Sequence, residues 1–141
     1  GTTSQVMNSL MAANTGTKID GVLQEGMGEA AVVEALEAYG YDASKVAITG
    51  EWTNGYFRLA VEKNLNCFIT GVPCYLSAQA MDIALKVKNG ETVERDTEEA
   101  PPVIPASEAS KYYVSTQGDD FMPVYTDEKN TWNISLSDFT N

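Results

Sequence analysis

Three short apolar runs, Ile19 to Leu23, Val46 to Thr49 and Cys67 to Thr70, alternate along the chain with segments of helical periodicity. That alternation constrains the fold more than any other feature. Strands joined by a tight hairpin run antiparallel, whereas parallel neighbours need a crossover of a dozen or more residues, usually a helix. The pattern therefore predicts an α/β fold, a three-layer lobe with a mainly parallel sheet. Strands apolar throughout imply cover on both sheet faces.

The helical segments have readable ends. Thr2 and Gln5 have capping-box spacing, Val6, Leu10 and Ala13 share a face, and Gly16 closes a helix from Thr2. A second helix is predicted from Glu29 to Tyr39, with Val32, Leu36 and Tyr39 on one face and Gly40 where a C-terminal cap belongs. A third runs from about Asn54 to Lys63 and a fourth from about Leu76 to Lys88. In the fourth, Gln79, Asp82, Lys86 and Asn89 form a narrow polar stripe. The rest of its surface is apolar and calls for burial on more than one side. After Gly90 the chain turns acidic and loop-like. Short β-like runs follow at 103–104, 112–114 and 124–125, and the tail alternates like an edge strand at 132–136.

Charge and composition exclude several functions. The net charge of −11, with nine scattered Lys and Arg, repels phosphate backbones and anionic membranes, so no nucleic-acid partner is expected. Histidine is absent, which removes the commonest general base and metal ligand, and with them any Ser-His-Asp or Cys-His mechanism in this chain. No catalytic residue, metal site or cofactor is assigned, and the chain is not expected to be an enzyme. Cys67 and Cys74 read as buried thiols, the alternative being a disulfide across a sharp turn at Pro73.

In an open parallel sheet, ligands bind outside the carboxyl ends of the strands. Those ends are Gln24-Glu25-Gly26, Gly50-Glu51-Trp52-Thr53-Asn54 and Gly71-Val72-Pro73. Two carboxylates and an indole at one rim suit a polyol, because carboxylates accept hydroxyl hydrogen bonds and an aromatic face covers sugar C–H groups. Alternatively, Glu25 and Glu51 are solvated acids near helix N-termini and Trp52 is a core anchor. A competing signal is Gly26-Met27-Gly28-Glu29-Ala30-Ala31, a G-x-G-x-x-A run between a strand and a helix, with Glu51 ending the next strand. That is the layout of a dinucleotide fingerprint, but Glu25 and Glu29 place negative charge where a pyrophosphate would sit.

Five segments in order carry a resemblance: Ile19-Asp20-Gly21-Val22-Leu23; the helix ending Glu34-Ala35-Leu36-Glu37-Ala38-Tyr39-Gly40; the strand from Val46 to Glu51; Phe68-Ile69-Thr70-Gly71-Val72-Pro73; and Lys88-Asn89-Gly90-Glu91-Thr92-Val93. Over residues 1–105 the chain resembles the C-terminal part of the type I periplasmic sugar-binding proteins of ABC importers. The resemblance implies a partial C-terminal lobe over 1–105, in which the helix of 74–90 would pack on a missing N-terminal lobe, and a C-terminal extension with short strands over 106–141. Glu25 and Gly26 stand at the family's ligand-binding Asn-Asp pair, Glu51 at its sugar-binding Asp, and Gly71 at a Gln that often binds. The implied ligand-binding set is Glu25, Gly26, Glu51, Trp52 and Gly71.

The implied function is extracytoplasmic capture of a small polar solute, a sugar, for an ABC transporter permease. The location is periplasmic or that of a cell-surface lipoprotein, and the fragment is expected to self-associate. Because Gly1 opens directly on a helical pattern, the chain reads as a piece of something longer. Two alternatives are the effector-binding domain of a sugar-responsive transcription regulator, which shares the fold, and an NAD(P)-dependent oxidoreductase.

Overall fold

The computed structural model describes residues 2–72, 75–96 and 101–123. In chain order these form α1 (Thr2–Ala13), β1 (Gly21–Val22), α2 (Glu29–Ala38), a 3-10 turn (Ala43–Lys45), β2 (Ala47–Glu51), α3 (Asn54–Glu62), β3 (Asn66–Thr70), α4 (Tyr75–Lys88), β4 (Ile104–Pro105) and a 3-10 helix (Ala106–Lys111). The expected helices and first three strands are all present, and the chain is a mixed α/β structure around a mainly parallel sheet.

The four strands lie in sequence order, β1-β2-β3-β4. β1 and β2 are parallel with Val22 opposite Ile48, and β2 and β3 are parallel with Ile48 opposite Cys67 and Glu51 opposite Thr70. β4 is antiparallel, with Ile69 opposite Ile104. Right-handed crossovers between strands laid in sequence order place their helices on the same sheet face. Burial follows from this. Ile48 and Gly50 of β2 and Cys67 and Ile69 of β3 are buried under the helices, while the intervening residues are not. Phe68, on the opposite face, is 56% exposed. The uniformly apolar strands suggested cover on both faces. Among the described residues the core lies on one face, because no reversal of strand order sends a crossover to the other side.

That core joins Met7 and Met11 of α1, Val32, Val33 and Leu36 of α2, Ile48, Trp52, Tyr56 and Phe57, Ile69, Ile104 and Ala109. Burying one such large side chain contributes about 1.5–3 kcal/mol. α1 docks one position away from the expected face: Met7 and Met11 are buried, while Val6 and Leu10 are exposed. Both pairs have i,i+4 spacing and lie on adjacent stripes, and Leu10 lines a groove with Met7, Met11, Ile19 and Val22. Gly16, Gly40 and Gly90 adopt positive φ just beyond α1, α2 and α4, as their positions in the sequence suggested.

Residues 106–123 pack on what precedes them. Tyr112 stacks on Phe57 with ring centroids 5.3 Å apart, and Ala109 is fully buried. The chain then caps α3. Asn54 N–H donates to Phe121 O at 2.6 Å and Gly55 N–H to Asp119 O at 3.0 Å, satisfying amides that a helix N-terminus leaves free. The Asn54 side chain donates to the carbonyls of Val114 and Gln117, both at 3.0 Å, and accepts from Val114 N–H at 2.8 Å. The boundary expected at 105 therefore does not divide two packing units among the described residues. Residues 112–114 form no strand, since their hydrogen bonds go to Asn54 and to a turn after the 3-10 helix. The strand-like runs at 124–125 and 132–136 lie outside the described residues.

In α4 the buried residue is Tyr75; Met81, Leu85 and Val87 are exposed. Among the described residues no helix is long and apolar enough to cross a membrane. Cys67 is a free, buried thiol, pushed above its ordinary pKa by burial. Cys74 lies outside the described residues.

Candidate functional site

The parallel register aligns the carboxyl ends of β1, β2 and β3. Beyond them lies a depression of about 350 Å³ lined by Gln24, Glu25 and Gly26, by Thr49 to Glu51, and by Thr70 to Val72, with Leu23 and Pro101 at its margin. Four of the five residues singled out from the sequence, Glu25, Gly26, Glu51 and Gly71, meet there. The fifth does not. Trp52 is 1% exposed and belongs to the core, because the chain turns into α3 immediately after β2 and carries the indole under the sheet. Its alternative reading as a core anchor is the correct one. Leu23 and Val72, both well exposed, supply apolar surface at the rim instead.

A carboxylate that the sequence reading treated only as a negative charge proves central. Glu29, the first residue of α2, is 4% exposed. Its Oε1 accepts from Glu51 N–H at 2.5 Å and from Gln24 Nε2 at 3.0 Å. Gln24 Nε2 also donates to Gly26 O at 2.5 Å, and Gln24 N–H donates to Thr49 Oγ1 at 3.1 Å. Glu51 extends the series, accepting from Val72 N–H at 3.2 Å through Oε1. Each carboxylate thus bridges to the next strand end, and each lies over a glycine. A Cβ at Gly50 would collide with Glu29 Cγ and Tyr56, and one at Gly71 with Glu51 Oε1 and Trp52. The paired Gly-Glu step at 50–51 was visible in the sequence. That its glycine makes room for a glutamate from another helix was not.

Burial is the largest influence on Glu29 and raises its pKa above the ordinary carboxylate value. The nearby Glu51 charge acts in the same direction, and the hydrogen bonds from Glu29's own N–H, from Glu51 N–H and from Gln24 oppose it. Burial likewise raises the pKa of Tyr56, beneath, whose hydroxyl donates to Ile48 O at 3.1 Å. Among the described residues no Lys or Arg lines the depression. The rim can therefore accept hydrogen bonds from hydroxyl or amine groups, and it repels anions. Among the described residues no group of three or more Cys, Asp or Glu is arranged to hold a metal.

The G-x-G run has a structural explanation. Gly28 is the N-cap of α2, and a Cβ there would strike the Thr3 side chain and Gln24 Oε1. Close packing of α1 and of the Gln24 loop requires this glycine. The Glu29 carboxylate stands at the same helix N-terminus, where a pyrophosphate would need positive potential.

Comparison with solved structures gives the fold. The chain matches the periplasmic binding protein component of the arabinose ABC transporter from Shewanella sp. ANA-3, bound to α- and β-L-arabinofuranose. The TM-score is 0.66 at 19% identity, over 79% of this chain and 38% of that one. This is a type I periplasmic-binding-protein fold. The same fold recurs in a galactofuranose-binding protein, with TM-score 0.65 and 16% identity over 77% of this chain and 38% of that one. It recurs again in a Mycobacterium smegmatis protein in complex with β-D-fucofuranose, with TM-score 0.60 and 21% identity over 77% and 36% of the two chains. The chain thus spans under two fifths of the length of these periplasmic-binding-protein structures. No family model and no curated protein sequence matches it.

Proposed function

We propose that this chain is part of a receptor that captures a small sugar outside the cytoplasmic membrane and delivers it to an ABC transporter permease, and that it is not an enzyme. One observation carries the proposal: the depression at the carboxyl ends of three adjacent parallel strands gathers Glu25, Glu51 and Gly71, in a fold shared with proteins whose structures hold furanose sugars. Glu25 and the free lone pairs of Glu51 accept hydroxyl hydrogen bonds. Gly26 allows close approach of ligand to backbone, and Gly71 makes room for the Glu51 carboxylate. Leu23 and Val72 cover sugar C–H surface.

The ligand is enclosed by closure of two lobes. The second lobe corresponds to part of the length that the neighbours have beyond this chain. The setting is periplasmic or that of a surface lipoprotein. The exposed apolar side chains of α4, with Met81 and Leu85 among them, pack on that lobe in the whole receptor and on another copy in the isolated chain.

Calorimetry with L-arabinose, D-fucose and D-galactose tests the proposal. The expected result is weak binding, with Kd on the order of millimolar, because much of the enclosure is supplied elsewhere. Binding of NAD or NADP in place of the sugars would overturn it in favour of an oxidoreductase.

A further inference from the structure

We propose that Glu29 is the positioning residue of this cleft. A single buried oxygen, Glu29 Oε1, latches the loop after β1 to the end of β2 and thereby sets the direction of the Glu51 carboxylate. The inference rests on the cleft being the ligand site, but its test reads the latch and not the ligand.

Two donors from outside α2, Glu51 N–H at 2.5 Å and Gln24 Nε2 at 3.0 Å, converge on the same atom. One donor belongs to the end of β2, the other to the loop that carries Glu25. Glu29 is anchored from below as the first residue of α2, whose next turn, Val32 and Val33, is fully buried. The latch therefore ties a strand end and a loop to the position of a well-buried helix. Gly50 leaves the passage through which the carboxylate crosses, since a Cβ there would collide with it. Fixing the Glu51 amide fixes the Cα–Cβ direction of Glu51. From there the side chain spans to Val72 N–H over Gly71. One helix residue thus orders rim groups contributed by three strands. An oxygen that accepts from two amides can do so as a carboxylate or as the carbonyl of a neutral group, so the latch depends on the oxygen and its reach, not on charge.

Amide hydrogen exchange and amide chemical shifts by NMR on the full chain test this. In Glu29→Asp, one methylene shorter, and in Glu29→Ala, exchange at the Glu51 amide should rise at least about tenfold relative to Ile69 in the core, because a buried donor loses its acceptor. The Val72 amide resonance should move as well, which a purely local loss of packing at α2 would not cause. Glu29→Gln, which keeps the oxygen in place, should hold Glu51 exchange within about threefold of the parent and leave Val72 in place. Parent-like exchange at Glu51 in Glu29→Asp overturns the proposal. So does a loss in Glu29→Gln as large as in Glu29→Asp, which would assign the effect to charge. If Glu29→Ala does not fold, the Asp and Gln variants decide. If the three variants give the expected exchange pattern but the parent chain binds no sugar, the latch stands and the cleft assignment fails.

Discussion

Two glutamates and two glycines account for most of the rim's geometry. Gly71 is required by the neighbouring Glu51 carboxylate and the Trp52 ring, both of which a Cβ would strike. Gly71→Ala should therefore destabilise the chain by about 1–3 kcal/mol and displace Glu51 from Val72. Urea unfolding checks the first effect, and the Val72 amide resonance the second. Glu29 gives a pH signature. Because its pKa is raised in the folded state from 4.5, the folded chain binds that proton more tightly than the unfolded chain does. Its contribution is full below the unfolded value and is lost as pH rises through the raised one. Gln at 29 has no proton to lose. The melting temperature of Glu29→Gln relative to the parent should climb as pH rises above 4.5. A difference that stays flat, or that falls with pH, would show that Glu29 is not held toward its neutral form. The residue roles were only partly legible in the sequence. Glu25 and Glu51 could be placed because a strand end fixes the side of the molecule on which a residue lies. Trp52 and Glu29 were misjudged because the sense in which the chain turns into α3, and the depth of the α2 N-terminus, depend on packing across the sheet.

Among the elements, the strand–helix alternation was legible because parallel pairing enforces it, and the helix ends because glycines with positive φ mark them. The face of α1 was not. Val6 with Leu10 and Met7 with Met11 are equivalent by periodicity, and only docking on α2 distinguishes them. Nor was the attachment of residues 106–123, which depends on one side chain far away in sequence. Asn54 is fully buried and holds Val114 and Gln117 across sixty residues. Asn54→Ala would leave those groups unsatisfied and should cost about 2–4 kcal/mol. Limited proteolysis should then cut between residues 112 and 122 while the sheet stays protected. Uniform resistance of that segment would show that the backbone bonds to Phe121 and Asp119 and the Phe57–Tyr112 stack suffice to hold it. The exposed Arg58–Asp119 pair, with N···O at 2.9 Å, lies beside the same junction, and Asp119→Ala should change stability by less than about 1 kcal/mol.

At the scale of the whole molecule, two apolar surfaces lack cover among the described residues: the sheet face at Phe68 and the side of α4 bearing Met81, Leu85 and Val87. Solved proteins of this fold are more than twice as long, and the proposed function assigns the cover to a second lobe. Under the proposed function, a second copy would take that place in the chain by itself. Light scattering at micromolar concentration should show at least a dimer, and Leu85→Glu should shift it toward monomer. A strictly monomeric parent chain would contradict this. The central claim is that Glu25, Glu51 and Gly71 form a sugar cleft, and chemical-shift mapping during titration with L-arabinose tests it most directly. The account predicts saturable shifts with Kd on the order of millimolar, confined to Gln24–Gly26, Glu51 and Gly71–Val72, and abolished by Glu51→Ala. Shifts centred elsewhere, or unchanged in Glu51→Ala, would contradict it.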